Sequence, residues 1–249
     1  RIVPLVDGHL RQLELELCRA ETFEPASAAL HWRLSLSDLG EMMFLPPLAA
    51  ALRADAPHSR VSNVSVDAAR VSAALEAGDI DLAIGILLPD HAGVASEELF
   101  REHFVAITGS HWRPPVGRSG TGLSPQQLAH TTLAVAAPTA TFHGSVEAML
   151  TRLKLTERAV VRARHYGALP ELVTCTDLMA IVPQMFADSL SSRYSVRVWQ
   201  LPGHGPHYSV RMVWHRSASA DLAHSWLRDR VRRLFARAGA TGATPDQSL

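Results

Sequence analysis

Between residues 31 and 87 the spacing of apolar positions switches repeatedly between a period near two and a period near 3.6. "HWRLSLSDL" (31–39) alternates apolar and polar residues as a half-buried strand does, and "EMMFLPPLAAALRADAP" (41–57) continues as a helical run. "RVSNVSV" (60–66) predicts a strand, "DAARVSAALEAGD" (67–79) a helix and "IDLAIGIL" (80–87) a buried strand. Asp67 is placed to cap that helix and Gly78 to end it, where a positive φ costs least. Strands that alternate with helices imply βαβ units around a largely parallel sheet, an α/β fold.

"LFREHFVAITG" (99–109) adds one more strand, and "SHWRPPVGRSGTGLSP" (110–125) interrupts the pattern with Pro and Gly. The alternation then restarts. "TTLAVAAP" (131–138), "RAVVRARHY" (158–166) and "LMAIVP" (178–183) predict strands, and "HGSVEAMLTRLKL" (143–155), "GALPELVTCTD" (167–177) and "QMFADSLSS" (184–192) predict helices. Two such runs joined by a Gly-rich link make two lobes, whose ligand site lies in the cleft at the strands' carboxyl ends. A late strand leads into a helix with Leu222, Trp226, Leu227, Val231, Leu234 and Phe235 on its apolar side. The basic residues on it, Arg228, Arg230, Arg232, Arg233 and Arg237, read as a solvated face rather than a nucleic-acid patch.

The chain's start has a different rhythm. Val6, Leu10, Leu13, Leu17 and Ala20 recur at steps of four and three, the seam of a coiled coil or of a helix lying on its own domain. Pro25 stops it, so residues 1–25 form a unit of their own, and the small polar tail 239–249 is expected to be disordered.

Composition narrows the partners. The 249 residues carry 24 Lys and Arg against 24 Asp and Glu, a formal charge of zero, so no bulk field advertises nucleic acid or a membrane. No apolar run approaches the roughly 18 residues of a membrane span, and "RIVPLVDGHL" lacks a signal-peptide layout. A cytoplasmic chain is expected, with Cys18 and Cys175 as free thiols and the initial Arg1 a sign of excision from something longer.

Catalytic patterns are missing: there is no G-x-S-x-G, H-E-x-x-H, Cys-x-x-Cys or Walker loop, and "GRSGTG" lacks the following Lys. His204 and His207 form an isolated pair without further ligands at metal spacing. No catalytic residue, metal or cofactor is expected. At the joint "SLSDLGEMM", Ser37 or Asp38 can accept bonds from the first helical amides, and Glu41 stands where a capping box puts its acid. The same joint leaves amides and the Ser37 hydroxyl available to a small anion.

In order along the chain, "LSLSDLGEMMFLPPLAAAL", "LEAGDIDLAIGILLP", "TCTDLMAIVPQMFA" and "MVWHRSASADLAHSWLR" resemble the effector-binding region of LysR-type transcriptional regulators, within the branch that answers to salicylate and nitrotoluene-type inducers. The likeness spans residues 1 to about 236. It implies two Rossmann-like lobes of the type II periplasmic-binding-protein kind behind a linker helix that pairs subunits, with a winged helix-turn-helix upstream. Lobe 1 would comprise 30–113 plus 214–238, and lobe 2 would comprise 114–213. The implied partners are a small aromatic or carboxylate-like inducer, promoter DNA through the upstream domain, and copies of the chain in a homodimer or homotetramer. The implied inducer site takes Ser37, Met43 and Phe44 from lobe 1, and His143, His165, Pro183 and Met185 from lobe 2.

Two departures stand out. Aromatic-carboxylate responders of this branch often have Arg where Met185 stands, and a thioether cannot grip a carboxylate as a guanidinium does. Met43 stands where relatives often have an aromatic ring. Both imply an inducer less acidic or more apolar than salicylate, or one gripped from another side chain. A solute-binding receptor of the same fold is the second reading.

Overall fold

The computed structural model describes residues 22–88, 91–117, 120, 122–136, 143–204 and 207–236, with backbone alone for 143–147 and 204. The expected linker seam, Cys18 and the tail lie outside these residues.

The first sheet is built from β1 (His31–Leu36), β2 (Arg60–Asn63), β3 (Leu82–Gly85), the first part of β4 (Val94–Gly109) and β9 (His207–His215). Its order is β2-β1-β3-β9-β4, with β1 parallel to β2 and β3, and β9 antiparallel to β3 and β4. All four residues of β3 are buried, as expected of a strand with both faces covered. Helix α1 (Asp38–Asp55) and α7 (Leu222–Phe235) cover this sheet, and α2 (Val71–Glu76) follows a one-turn 3-10 segment. Leu48, Leu52, Leu227 and Val231 meet Leu34, Leu82, Ile84 and Met212 in one cluster. Each such side chain contributes roughly 1.5–3 kcal/mol by leaving water.

The second sheet has the order β8-β4-β7-β5-β6, made of the end of β4, β5 (Leu133–Ala136), β6 (Ala159–Ala163), β7 (Met179–Pro183) and β8 (Val196–Trp199). Helices α3 (Pro125–Ala129), α4 (His143–Arg152), α5 (Leu169–Cys175) and α6 (Gln184–Leu190) accompany it. Its core holds Ile107, Leu133, Leu150, Leu169, Phe186 and Trp199.

Strand β4 belongs to both sheets. Residues Val94 to His103 pair with β9, and Phe104 to Gly109 pair with β7 and β8. The handover therefore falls between His103 and Phe104, about ten residues before the Pro/Gly-rich segment that suggested a boundary at 113. The return falls just before His207, because all of β9 pairs in the first sheet. His103 and His207 are register partners with ring centroids 5.3 Å apart, so the two crossings lie side by side.

Several local expectations change. Asp67 occupies a cap position but makes no side-chain cap bond; Gly78 does take a positive φ of 69°. Pro46 and Pro47 lie inside α1, where they deny the carbonyls of Met42 and Met43 their usual donors. Arg228 is not on a solvated face: it is 6% exposed, and it donates to Ala218 O, Ser219 O and Ser225 Oγ. Arg230 and Arg232 are held by Asp55 and Glu97, Arg233 is exposed, and Arg237 lies outside the described residues.

Candidate functional site

Ser37 ends β1 with an extended backbone, and its Oγ accepts from the Gly40 N–H at 3.0 Å, which makes it the N-cap of α1. That places Gly40, not Glu41, at the third helical position, so no capping box forms. Glu41 instead accepts from Asn63 Nδ2 at 2.9 Å, tying α1 to β2. A Cβ on Gly40 would come within 3.3 Å of Ser37 Oγ and 3.4 Å of Phe44. Glycine thus lets the helix start lie close beneath its own cap.

Asp38 reaches across to the other sheet's side. Its Oδ2 accepts the Tyr166 N–H at 2.8 Å, and His165 Nδ1 lies 3.8 Å from the same oxygen. A second acid makes a matching contact. Glu102, one residue before the β4 handover, accepts the Met185 N–H at 3.0 Å on Oε2 and the His103 N–H at 2.7 Å on Oε1. Each carboxylate therefore bonds to a backbone amide at a helical start of the second lobe. Side chains are exchanged in the same way: Leu39 of α1 packs into the second core, and Met185 of α6 packs on the first.

A cavity lies among these contacts. From α1 it is lined by Ser37, Gly40, Met43 and Phe44; from β4 by Phe100 and Glu102; from β9 by Tyr208; and from the β7–α6 corner by Pro183, Met185 and Phe186. It is nearly closed, with about 20 Å³ open to the centre of a water-sized sphere, enough for roughly one water. Burial raises the Glu102 carboxyl from its ordinary value, against the lowering by its two amide bonds and by His103. The Tyr208 and Tyr166 phenols are likewise pushed up by burial.

Of the residues the sequence singled out, Ser37, Met43, Phe44, Pro183 and Met185 line this one cavity. His165 is two-thirds exposed on the rim beside Asp38 and does not line it. His143 begins α4, and its side chain lies outside the described residues. The sequence reading missed Glu102, Phe100 and Tyr208. A signal for Glu102 was present: in "FREHF" an acid shares a strand face with two phenylalanines, and all three are at most 7% exposed. Among the described residues no His, Cys, Asp and Glu group could hold a metal.

The sequence pattern described as the LysR substrate binding domain matches residues 10–236. The HTH-type transcriptional activator NagR of Ralstonia sp. is 28% identical over 229 residues, covering 92% of this chain and 75% of that protein. NahR of Pseudomonas putida, also an HTH-type transcriptional activator, is 28% identical over 230 residues with the same coverage. In three dimensions the regulatory domain of MexT, a transcriptional activator in Pseudomonas aeruginosa, superposes with a TM-score of 0.68 at 21% identity, covering 84% of this chain and 99% of that one.

Proposed function

The chain belongs to the LysR substrate binding domain family, and on that premise we propose that the cavity between the α1 and α6 starts receives a small aromatic inducer. The chain is then the effector-binding part of a ligand-responsive transcriptional regulator working in the cytoplasm, as a homodimer or homotetramer on promoter DNA. NagR and NahR, similar over nine-tenths of this chain, are by name activators of transcription, which favours a regulatory over a catalytic role.

One observation carries the reading: both lobes supply rings and thioethers to a single buried cavity, with Ser37, Glu102 and Tyr208 as its polar points. Its size supplies the coupling. A cavity that takes in benzene measures on the order of 150 Å³, far more than the space present, so entry requires Met43 and Met185 to move or the lobes to part. Methionine is suited to that, being flexible and unbranched. A ligand accommodated only by the opened arrangement shifts the population toward it, and that differential affinity is what an oligomer can pass to DNA. We place the division of the lobes at His103/Phe104 and ahead of His207, where strand pairing changes.

The test is a thermal-shift screen with benzoate, salicylate, phthalates, nitroaromatics, chlorophenols and short aliphatic acids. A ligand at 100 times its dissociation constant adds about 2.7 kcal/mol. An aromatic that raises the melting temperature in the wild type and not in Phe44→Ala supports the cavity. A response confined to aliphatic acids, or one that Phe44→Ala leaves intact, overturns it.

A further inference from the structure

Resting on the reading that this cavity is the inducer site, we propose that Glu102 sets the charge class of the ligand: an uncharged aromatic bearing a hydrogen-bond donor binds, and an aromatic carboxylate binds only with uptake of a proton.

Glu102 is the one charged side chain among the described residues that line the cavity, and it is 7% exposed. Among the described residues no Lys or Arg lines it. The carboxylate is anchored. Each of its oxygens is bonded to a backbone amide, one from its own strand and one from α6, so it cannot swing out to solvent without breaking both. Each oxygen also keeps acceptor capacity beyond that one bond. A phenol, an aniline or a primary amide can use it, whereas a carboxylate ligand offers no proton and brings a second negative charge.

Among the described residues the groups around Glu102 offset that repulsion only in part. His103, on the same strand, has Nδ1 3.6 Å from Oε1 and is the one basic partner among the described residues; it stacks on His207 of β9. Asp188 of α6 adds negative charge, and Tyr208 of β9, with Tyr166 beyond it, is kept protonated by burial. Two like charges about 5 Å apart in surroundings of effective dielectric near 20 weaken binding by a factor on the order of a hundred. The raised carboxyl of Glu102 points the same way, since its protonated form is the one an anionic ligand can join.

Calorimetry on the wild-type chain with benzamide and benzoate, which share a shape and differ in charge, reads the effect directly; phenol and 4-chlorophenol serve as further neutral donors. The expected result at pH 7.5 is tighter binding of the neutral members, at least tenfold for the matched pair. The gap narrows at pH 5.5, and buffers of different ionisation enthalpy report proton uptake for benzoate alone. In Glu102→Gln the gap shrinks about tenfold and the proton uptake disappears. The wild-type comparison stands even if that variant folds poorly. Benzoate binding as tightly as benzamide, with no proton uptake and with sensitivity to Met43→Ala, overturns the charge inference and leaves the cavity reading intact. Failure of every probe to bind, or binding indifferent to Met43→Ala, overturns the cavity reading and the inference together.

Discussion

Asp38 and Tyr166 are 128 positions apart in the chain, yet the Oδ2 of Asp38 accepts the Tyr166 backbone N–H at 2.8 Å and so fastens the start of α1 to the turn that opens α5. The other oxygen, Oδ1, is buried without a hydrogen-bond partner among the described residues. The contact is thus made at the cost of half a carboxylate's hydration. Asp38→Ala leaves the Tyr166 N–H of a 1% exposed residue without its acceptor, and a loss of about 1–3 kcal/mol in chemical denaturation is expected. A change within about 0.3 kcal/mol in the same measurement would show that water replaces the carboxylate and that the lobes are not held there.

Met185 occupies the other side of the cavity and is half-buried against the first lobe's core. Met185→Ala should cost the ligand-free chain roughly 1–2 kcal/mol, below the full range for a wholly buried methionine. It leaves the Met185 N–H, and hence the Glu102 bond, in place. The same substitution should admit bulkier rings, so the preference among chlorophenols is expected to move toward the larger members in calorimetry. A uniform weakening across the series would mean that Met185 contacts the ligand rather than merely filling its place.

Arg232 joins α7 to β4 through a two-pronged pair, Nε to Glu97 Oε1 at 2.6 Å and Nη2 to Oε2 at 2.7 Å, with Asp229 on its remaining nitrogen. Lysine keeps the charge and loses the fork. Because both partners are more than a third exposed at their side chains or nearly so, Arg232→Lys should cost only about 0.5–1 kcal/mol, less in high salt. A loss several times larger in urea titrations at low salt would mark the pair as a structural keystone of the lobe.

Much of this was legible from the sequence because burial imposes a period. β1, β3, β5 and β7 are short and apolar or alternating, and each falls inside the segment that predicts it. What escaped depends on contacts between distant segments. β8 (Val196–Trp199) has two half-buried valines beside exposed Arg197, too weak an alternation to stand out; it pairs with β4, where Trp199 Nε1 donates to Thr108 Oγ1. The cap was legible to within one residue, and that one residue matters. With Ser37 rather than Asp38 as N-cap, Asp38 is free to bond Tyr166, and Glu41 turns to Asn63. Sequence placed five of the cavity's residues through their resemblance to a family, yet passed over Glu102, because an acid in a strand ordinarily reads as a solvent-facing residue.

His224 carries a prediction whose sign is set by its two neighbours. Nδ1 faces Arg228 Nη1 at 2.7 Å and Nε2 faces the Asp81 carbonyl at 2.9 Å, so the neutral ring must donate from Nε2 and accept at Nδ1. Burial, and after it the Arg228 charge, hold the imidazole below its ordinary value of 6.5, against the raising effect of the Asp81 carbonyl. Unfolded chain therefore binds a proton that the folded chain refuses. Stability contributed by the neutral ring is complete above 6.5 and is lost as pH falls from there toward the folded value. Glu102 works in the opposite sense: its raised carboxyl costs stability as pH climbs through and above the usual carboxylate range. Urea midpoints at pH 7.5 and 5.5 separate the two. The wild type is expected to lose more stability between them than His224→Gln does, since glutamine can accept from Arg228 without titrating. Equal losses in the two proteins would mean that His224 takes its proton in place, with Arg228 swinging from it toward Trp214, over whose ring its guanidinium already lies at 4.8 Å.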